Sequence, residues 1–211
     1  MTFDPTLYFI TDSTGLTQAR LLEIVAEACQ GGATLVQLRE KNRSTRACLE
    51  LALAVKTVTD AYQVPLIIDD RVDIALASGA AGVHVGAEDM PVALARRLMG
   101  PDRIVGATAK TVERALQAQE EGADYLGVGA IYPTTTKVVT VITKVSTLTE
   151  ICQAVQVPVC AIGGLNPTNC DVLAGSGISG ICAVSAIMKS EDPRQAASLL
   201  RQKAEELKAS R

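Results

Sequence analysis

Eight short apolar runs of β type, each followed by a stretch with one apolar face at helical spacing, predict an α/β fold: a single-domain (βα)8 TIM barrel over residues 1–211. Two further observations favour closure of the sheet. The composition is aliphatic, with 48% hydrophobic residues, 3% aromatic and no tryptophan, which suits parallel strands covered by helices. The turns between the runs are too short for a second domain, and a chain of 211 residues buries most of its apolar surface as one unit. A doubly wound open sheet is the alternative arrangement of the same elements.

Leu7-Tyr8-Phe9-Ile10-Thr11 is the first strand. Leu21, Ile24, Val25 and Ala28 then fall at i, i+3, i+4 and i+7 of a helix closed by Gly31-Gly32. Thr34 to Arg39 is the second strand, and Leu51, Val55, Val58 and Tyr62 give the next helix its apolar face. Pro65 to Ile68, Gly82 to Val85 and Arg103 to Thr108 are strands three to five, separated by a short helix from Val72 to Ser78 and a helix opening around Pro91. Thr111 caps a helix running to Gly122, and Asp124 to Gly129 is strand six.

Thr147-x-x-Glu150 reads as a capping box ahead of Leu148, Ile151, Cys152 and Val155, and Pro158 to Ile162 is strand seven. Asn166-Pro167 and Asp192-Pro193 mark the starts of the last two helices, with Ile181 to Val184 between them as strand eight. The final helix sets Ala196, Leu200, Ala204 and Leu207 on one side. Gly32-Ala33, Gly79-Ala80, Gly122-Ala123 and Gly177-Ile178 are returns from helix to strand, where glycine supplies the left-handed cap. The connection from Ala130 to Lys144 is longer, and its hydroxyl-rich Pro133-Thr134-Thr135-Thr136-Lys137 is expected to be a mobile loop that closes over a ligand.

A net charge of −3 and the absence of any Lys/Arg-rich run leave no electrostatic footprint for nucleic acid or an anionic membrane. No apolar stretch approaches the roughly 18 residues of a membrane span, and the first residues lack the pattern of a signal peptide, so a cytoplasmic protein is expected. Cys29, Cys48, Cys152, Cys160, Cys170 and Cys182 occur singly, without a C-x-x-C pair, and read as small buried residues in a reducing compartment. Oligomeric state is open, a homo-oligomer included.

The active site of such a barrel lies at the carboxyl ends of the strands. Strand two ends in Gln37-x-Arg39-x-Lys41, whose alternation puts three polar side chains on one side. Strand three ends in Asp69-Asp70, and strand four leads through Gly86 to Glu88-Asp89. Thr108, the threonine loop with Lys137, Gly163-Gly164 and Ser185 end strands five to eight. Asp70 and Asp89 are hard oxygen ligands of the kind and number that Mg2+ takes from protein when substrate phosphates supply the rest. Arg39, Lys41 and Lys137 offer charge-assisted bonds to those phosphates. Each signal has a plainer reading: Asp69, Asp70 and Asp73 can begin the short third helix, Asp89 can cap the helix at Pro91, and Gly163-Gly164 can be a simple turn. His84, the only histidine, lies inside strand four and is expected to be structural or to support neighbours.

Nearly the whole chain resembles the thiamine-phosphate synthase (thiamine-phosphate pyrophosphorylase) family. The similar segments include Tyr8-Phe9-Ile10-Thr11-Asp12, Val36-Gln37-Leu38-Arg39-Glu40-Lys41, Asp70-Arg71-Val72-Asp73, Gly82-Val83-His84-Val85-Gly86, Glu88-Asp89-Met90-Pro91, Pro133-Thr134-Thr135-Thr136-Lys137, Ala161-Ile162-Gly163-Gly164 and Val184-Ser185-Ala186-Ile187. The resemblance implies an enzyme that joins the two phosphorylated halves of thiamine phosphate and releases pyrophosphate. It implies that Gln37, Leu38, Arg39, Glu40 and Lys41 bind the pyrimidine diphosphate with Asp69, Thr108 and Lys137. Asp70 and Asp89 would hold Mg2+, and Thr134, Thr135, Thr136, Gly164, Val184 and Ser185 the thiazole phosphate. Arg39, Lys41, Lys137 and Thr108 would be the catalytic group.

Asp69 stands where the family usually has asparagine, Thr108 where it has serine, Ala87 for glutamine, Ala130 for proline and Lys110 for histidine. The competing functions are a paralogue of this fold that isomerises the thiazole phosphate and a barrel that binds phosphorylated ligands without turnover.

Overall fold

The computed structural model describes residues 3–134 and 141–209. Its strands are β1 (Leu7–Ile10), β2 (Leu35–Leu38), β3 (Leu66–Asp69), β4 (Gly82–Val85), β5 (Ile104–Ala109), β6 (Tyr125–Gly129), β7 (Val159–Ile162) and β8 (Gly180–Ala183). All pair in parallel with their sequence neighbours, and β8 pairs with β1, so the sheet is a closed barrel rather than an open doubly wound one. The α-helices are α1 (Gln18–Gln30), α2 (Thr45–Ala61), α3 (Val72–Ser78), α4 (Val92–Met99), α5 (Val112–Glu120), α6 (Val145–Ala154), α7 (Ser185–Met188) and α8 (Pro193–Ala209).

Period-two alternation divides each strand between two cores. Leu7, Phe9, Val36, Leu38, Leu66 and Ile68 join the helix faces in the outer core. Tyr8, Ile10, Leu35, Ile67, Ile104 and Tyr125 fill the barrel interior together with Cys160 and Cys182. The same alternation carries Gln37, Asp69, His84 and Thr108 inward at the carboxyl ends of β2 to β5, where all four line one cleft. Five cysteines are buried and Cys152 is half-buried, all as free thiols.

Thr111 and Asp192 cap their helices as expected, accepting from Arg114 N at 3.2 Å and Gln195 N at 2.8 Å. Gly32, Gly79, Gly122 and Gly177 all take positive φ at the helix-to-strand returns. Four sequence expectations need correction. Thr147 and Glu150 form no capping box, because α6 starts earlier: Lys144 is its N-cap and makes no side-chain cap bond. Asn166 starts no α-helix. Its Oδ1 closes a turn on Thr168 N (2.9 Å), and one short 3-10 helix, Cys170–Leu173, follows before β8. Tyr62 stands past the end of α2, 37% exposed, and its hydroxyl accepts from Gln30 Nε2 at 2.7 Å. On α8 the buried stripe runs through Ala197 rather than Ala196.

Candidate active site

A cleft opens at the carboxyl end of the barrel and draws on strand ends and following loops from all around the rim. Its charged side is built by β2, β3 and the turn after β4. Gln37 is buried, Arg39 and Lys41 continue on the same side as the alternation predicts, and Asp69, Asp70 and Asp89 face them. Lys41 Nζ lies 2.8 Å from Asp69 Oδ2 and is also hydrogen bonded to Asp70. Arg39 Nε lies 3.8 Å from the same Asp69 oxygen. Burial works against the Lys41 ammonium, but the bonds to Asp69 and Asp70 outweigh it and raise its pKa.

Asp70 takes φ 60°, the left-handed region uncommon for a residue with a side chain but tolerated by aspartate. Its N–H donates to His84 O at 2.8 Å, and Arg71 N donates to Asp69 O at 2.7 Å, so a tight turn presents two successive carboxylates to the cleft. Neither caps α3: its N-cap is Arg71, without a side-chain bond, and Asp73 pairs with Arg71 at 2.8 Å. Asp89 does not cap α4 either. Its Oδ2 accepts from Gly86 N at 2.8 Å, which holds the carboxylate over the cleft beside Asp70. Partial burial and the neighbouring Asp70 raise the Asp89 pKa, as expected for two carboxylates converging on one position.

The rim opposite is built by the ends of β6, β7 and β8. Gly163 and Gly164 have φ of 104° and 66°, and a Cβ would sit 2.4 Å from Ala130 Cβ at the first and 2.7 Å from Tyr132 Cβ at the second. Glycine is required there by conformation and by space. Ile131 N and Tyr132 N donate to Ile162 O (2.9 Å) and Gly163 O (3.0 Å), while Thr143 N returns to Ala130 O at 2.8 Å. Both ends of the long connection are thus tied at Ala130. Thr134, Gly164, Val184 and Ser185 line the cleft. Thr135, Thr136 and Lys137, and with them the expected loop closure, lie outside the described residues.

The structure does not bring the side chains of Leu38 and Glu40 to the cleft. Leu38 packs in the outer core. Glu40 pairs with Arg43 Nε at 2.7 Å, and its Oε1 is buried without a hydrogen-bond partner among the described residues. Conversely, Tyr8, Lys110 and Cys182 line the cleft, and the sequence reading gave none of them a role. Tyr8 carried a signal: it shares inward parity with Ile10, on the strand beside Gln37.

His84 is half-buried, with Nδ1 3.1 Å from Tyr125 Oη and Nε2 3.0 Å from Thr108 Oγ1. Burial pulls its pKa down to about 4, so the ring is neutral near pH 7.

The described residues hold no cluster of three or more His, Cys, Asp or Glu with metal-ligand geometry. A pair of neighbouring carboxylates beside an arginine and a lysine nevertheless fits a divalent cation whose remaining ligands come from a phosphorylated substrate. Fold and site together define a βα-barrel enzyme that acts on a phosphorylated small molecule at its carboxyl-terminal rim.

Comparison with known proteins narrows the class. The family model described as thiamine monophosphate synthase matches residues 7–187. A thiamine-phosphate synthase 2 of Streptococcus pneumoniae is 54% identical over 186 residues, covering 88% of this chain and 89% of that protein. A thiamine-phosphate synthase of Enterococcus faecalis is 54% identical over 185 residues, covering 88% and 87%. The solved thiamine phosphate pyrophosphorylase from Pyrococcus furiosus is 40% identical, covers 96% of each chain and superposes with a TM-score of 0.87. The chain belongs to the thiamine-phosphate synthase family, and it is a transferase of thiamine biosynthesis. Among the described residues, no helix is long and apolar enough to cross a membrane.

Proposed function

We propose that this cleft couples 4-amino-2-methyl-5-pyrimidinylmethyl diphosphate with 4-methyl-5-(2-phosphoethyl)thiazole, giving thiamine phosphate and pyrophosphate. The observation that carries the assignment of roles is the convergence of Arg39 and Lys41 with Asp69, Asp70 and Asp89 at one rim. A site that isomerised or merely held the thiazole phosphate would have no use for this diphosphate set.

The CH2–O bond of the pyrimidine substrate breaks with its electron pair leaving on the diphosphate. Arg39 and Lys41 stabilise the charge that develops there, joined by Lys137 from the loop. The thiazole nitrogen then donates its lone pair to the methylene carbon, forming the new C–N bond. Gln37 and Thr108 hold the pyrimidine ring. Thr134, Gly164, Val184 and Ser185 receive the thiazole phosphate, with Thr135 and Thr136 completing the loop side. Leu38 and Glu40 contribute through the backbone, since their side chains turn away.

Asp70 and Asp89 would hold Mg2+, which would supply a Lewis acid to the diphosphate. Lys41 then moves from the carboxylates to the phosphate oxygens. No side chain need take a proton, in keeping with a lone histidine that stays neutral. The reaction's phosphorylated small-molecule partners and a net charge of −3 suit a cytoplasmic enzyme.

Asp89→Ala tests the assignment. It is expected to keep the fold and to lose about 100-fold or more in magnesium-dependent kcat/KM. A fully active variant would reduce Asp89 to a brace on Gly86.

A further inference from the structure

Four hydrogen bonds cross the barrel interior and connect two ends of the cleft. Gln37 Nε2 donates to the Tyr8 hydroxyl at 2.6 Å, and the Tyr8 and Tyr125 hydroxyls are 2.7 Å apart. Tyr125 Oη is 3.1 Å from His84 Nδ1, and His84 Nε2 is 3.0 Å from Thr108 Oγ1. Gln37 and Thr108 both line the cleft, whereas Tyr125 is fully buried between them. Neighbouring strands leave room for this chain of bonds. A Cβ on Gly106 would lie 2.1 Å from Tyr125 Cζ, and one on Gly127 would lie 3.3 Å from His84 Cε1.

The protons along this chain can be counted. A neutral imidazole has one donor and one acceptor nitrogen, and each tyrosine, kept protonated by burial, has one proton to give. With Gln37 Nε2 donating to Tyr8, one assignment makes all four bonds and also gives both buried tyrosine protons an acceptor. Tyr8 donates to Tyr125, Tyr125 donates to His84 Nδ1, and His84 Nε2–H donates to Thr108. The Thr108 proton is then free for the cleft, and the Gln37 amide is left with its carbonyl oxygen and its second N–H. Reversing any one bond leaves a buried tyrosine proton without an acceptor unless the others and the Gln37 amide reverse with it.

We propose that Tyr8, Tyr125 and His84 are positioning residues that turn the Gln37 carbonyl and the Thr108 hydroxyl proton towards the cleft. The cleft thereby selects a heterocycle edge with an amino donor beside a ring-nitrogen acceptor, and rejects the oxo edge with its N–H. This deepens the reading above and rests on it, because the amino edge belongs to the aminopyrimidine substrate. Tyr8 and Tyr125 touch no reacting atom. Their contribution is to fix a polarity that a glutamine and a threonine alone would leave free to invert.

Two measurements judge it, and the first is independent of any substrate. His84 is the only histidine, so the imidazole 15N spectrum of the whole protein reports one ring. The expected spectrum is that of the Nε2–H tautomer at pH 7, with Nδ1 unprotonated; the Nδ1–H tautomer would overturn the proposal. The second compares affinities for the 4-amino pyrimidinylmethyl diphosphate and its 4-oxo analogue by calorimetry. The wild-type chain should prefer the amino compound by about 100-fold or more, and Tyr125→Phe should reduce the preference below about tenfold while leaving affinity for inorganic pyrophosphate within about twofold. An unchanged preference in folded Tyr125→Phe would overturn the proposal. Tyr8→Phe cuts the chain at a different bond and must move the preference in the same direction, which decides the matter if Tyr125→Phe does not fold. If the wild-type chain binds neither compound, the substrate reading fails instead, and the 15N spectrum still judges the chain of bonds.

Discussion

The Lys41 ammonium sits 2.8 Å from Asp69 Oδ2 and hydrogen bonded to Asp70, so one cation bridges the two successive carboxylates at the end of β3. In this arrangement the lysine fills the charge position that a divalent cation would take on Asp70. Lys41→Met should therefore bind Mg2+ alone about tenfold more tightly, and inorganic pyrophosphate more weakly. Paired titrations by calorimetry check both signs. Weaker binding of both would mean that Lys41 assembles the carboxylates and does not compete for them.

Asp69 adds a negative charge, 10% exposed, against the arginine and lysine meant for the diphosphate. Asp69→Asn should tighten diphosphate binding about three- to tenfold and lower the magnesium concentration needed for half-maximal rate. A magnesium titration of both proteins measures this. Identical substrate affinity and metal dependence would remove any role for the extra charge.

His84 makes stability depend on pH in a definite direction. Its folded pKa, about 4, lies below the usual 6.5, so between those values the unfolded chain binds the extra proton. Its contribution is complete above pH 6.5 and declines as pH falls towards 4, by about 3 kcal/mol in total. Urea melts of the parent and His84→Asn across this window should show a steeper decline in the parent. Parallel curves would contradict the neutral, half-buried ring.

The barrel was legible because its strands obey alternation strictly. Leu7 and Phe9 face out and Tyr8 and Ile10 face in, and the same parity places Gln37, Asp69, His84 and Thr108 at one rim. The charged half of the site was legible for the same reason. Local capping rules misled at Thr147 and Asn166. At the first, α6 had already begun at Val145, and at the second, the connection to β8 holds only a short 3-10 helix. Tyr125 escaped notice since, along the sequence, it reads as one more apolar strand residue. Its hydroxyl acquires meaning only when β6 stands across the barrel from Tyr8 and beside His84, a relation among residues 41 and 117 positions apart.

The most direct measurement supplies both phosphorylated halves and Mg2+ to the purified protein and follows thiamine phosphate and pyrophosphate together. The site as described predicts the two products in equal amounts, their loss on chelation of the metal, and their return when Mg2+ is restored. Binding of both halves without product, or an undiminished rate in chelator, would contradict it.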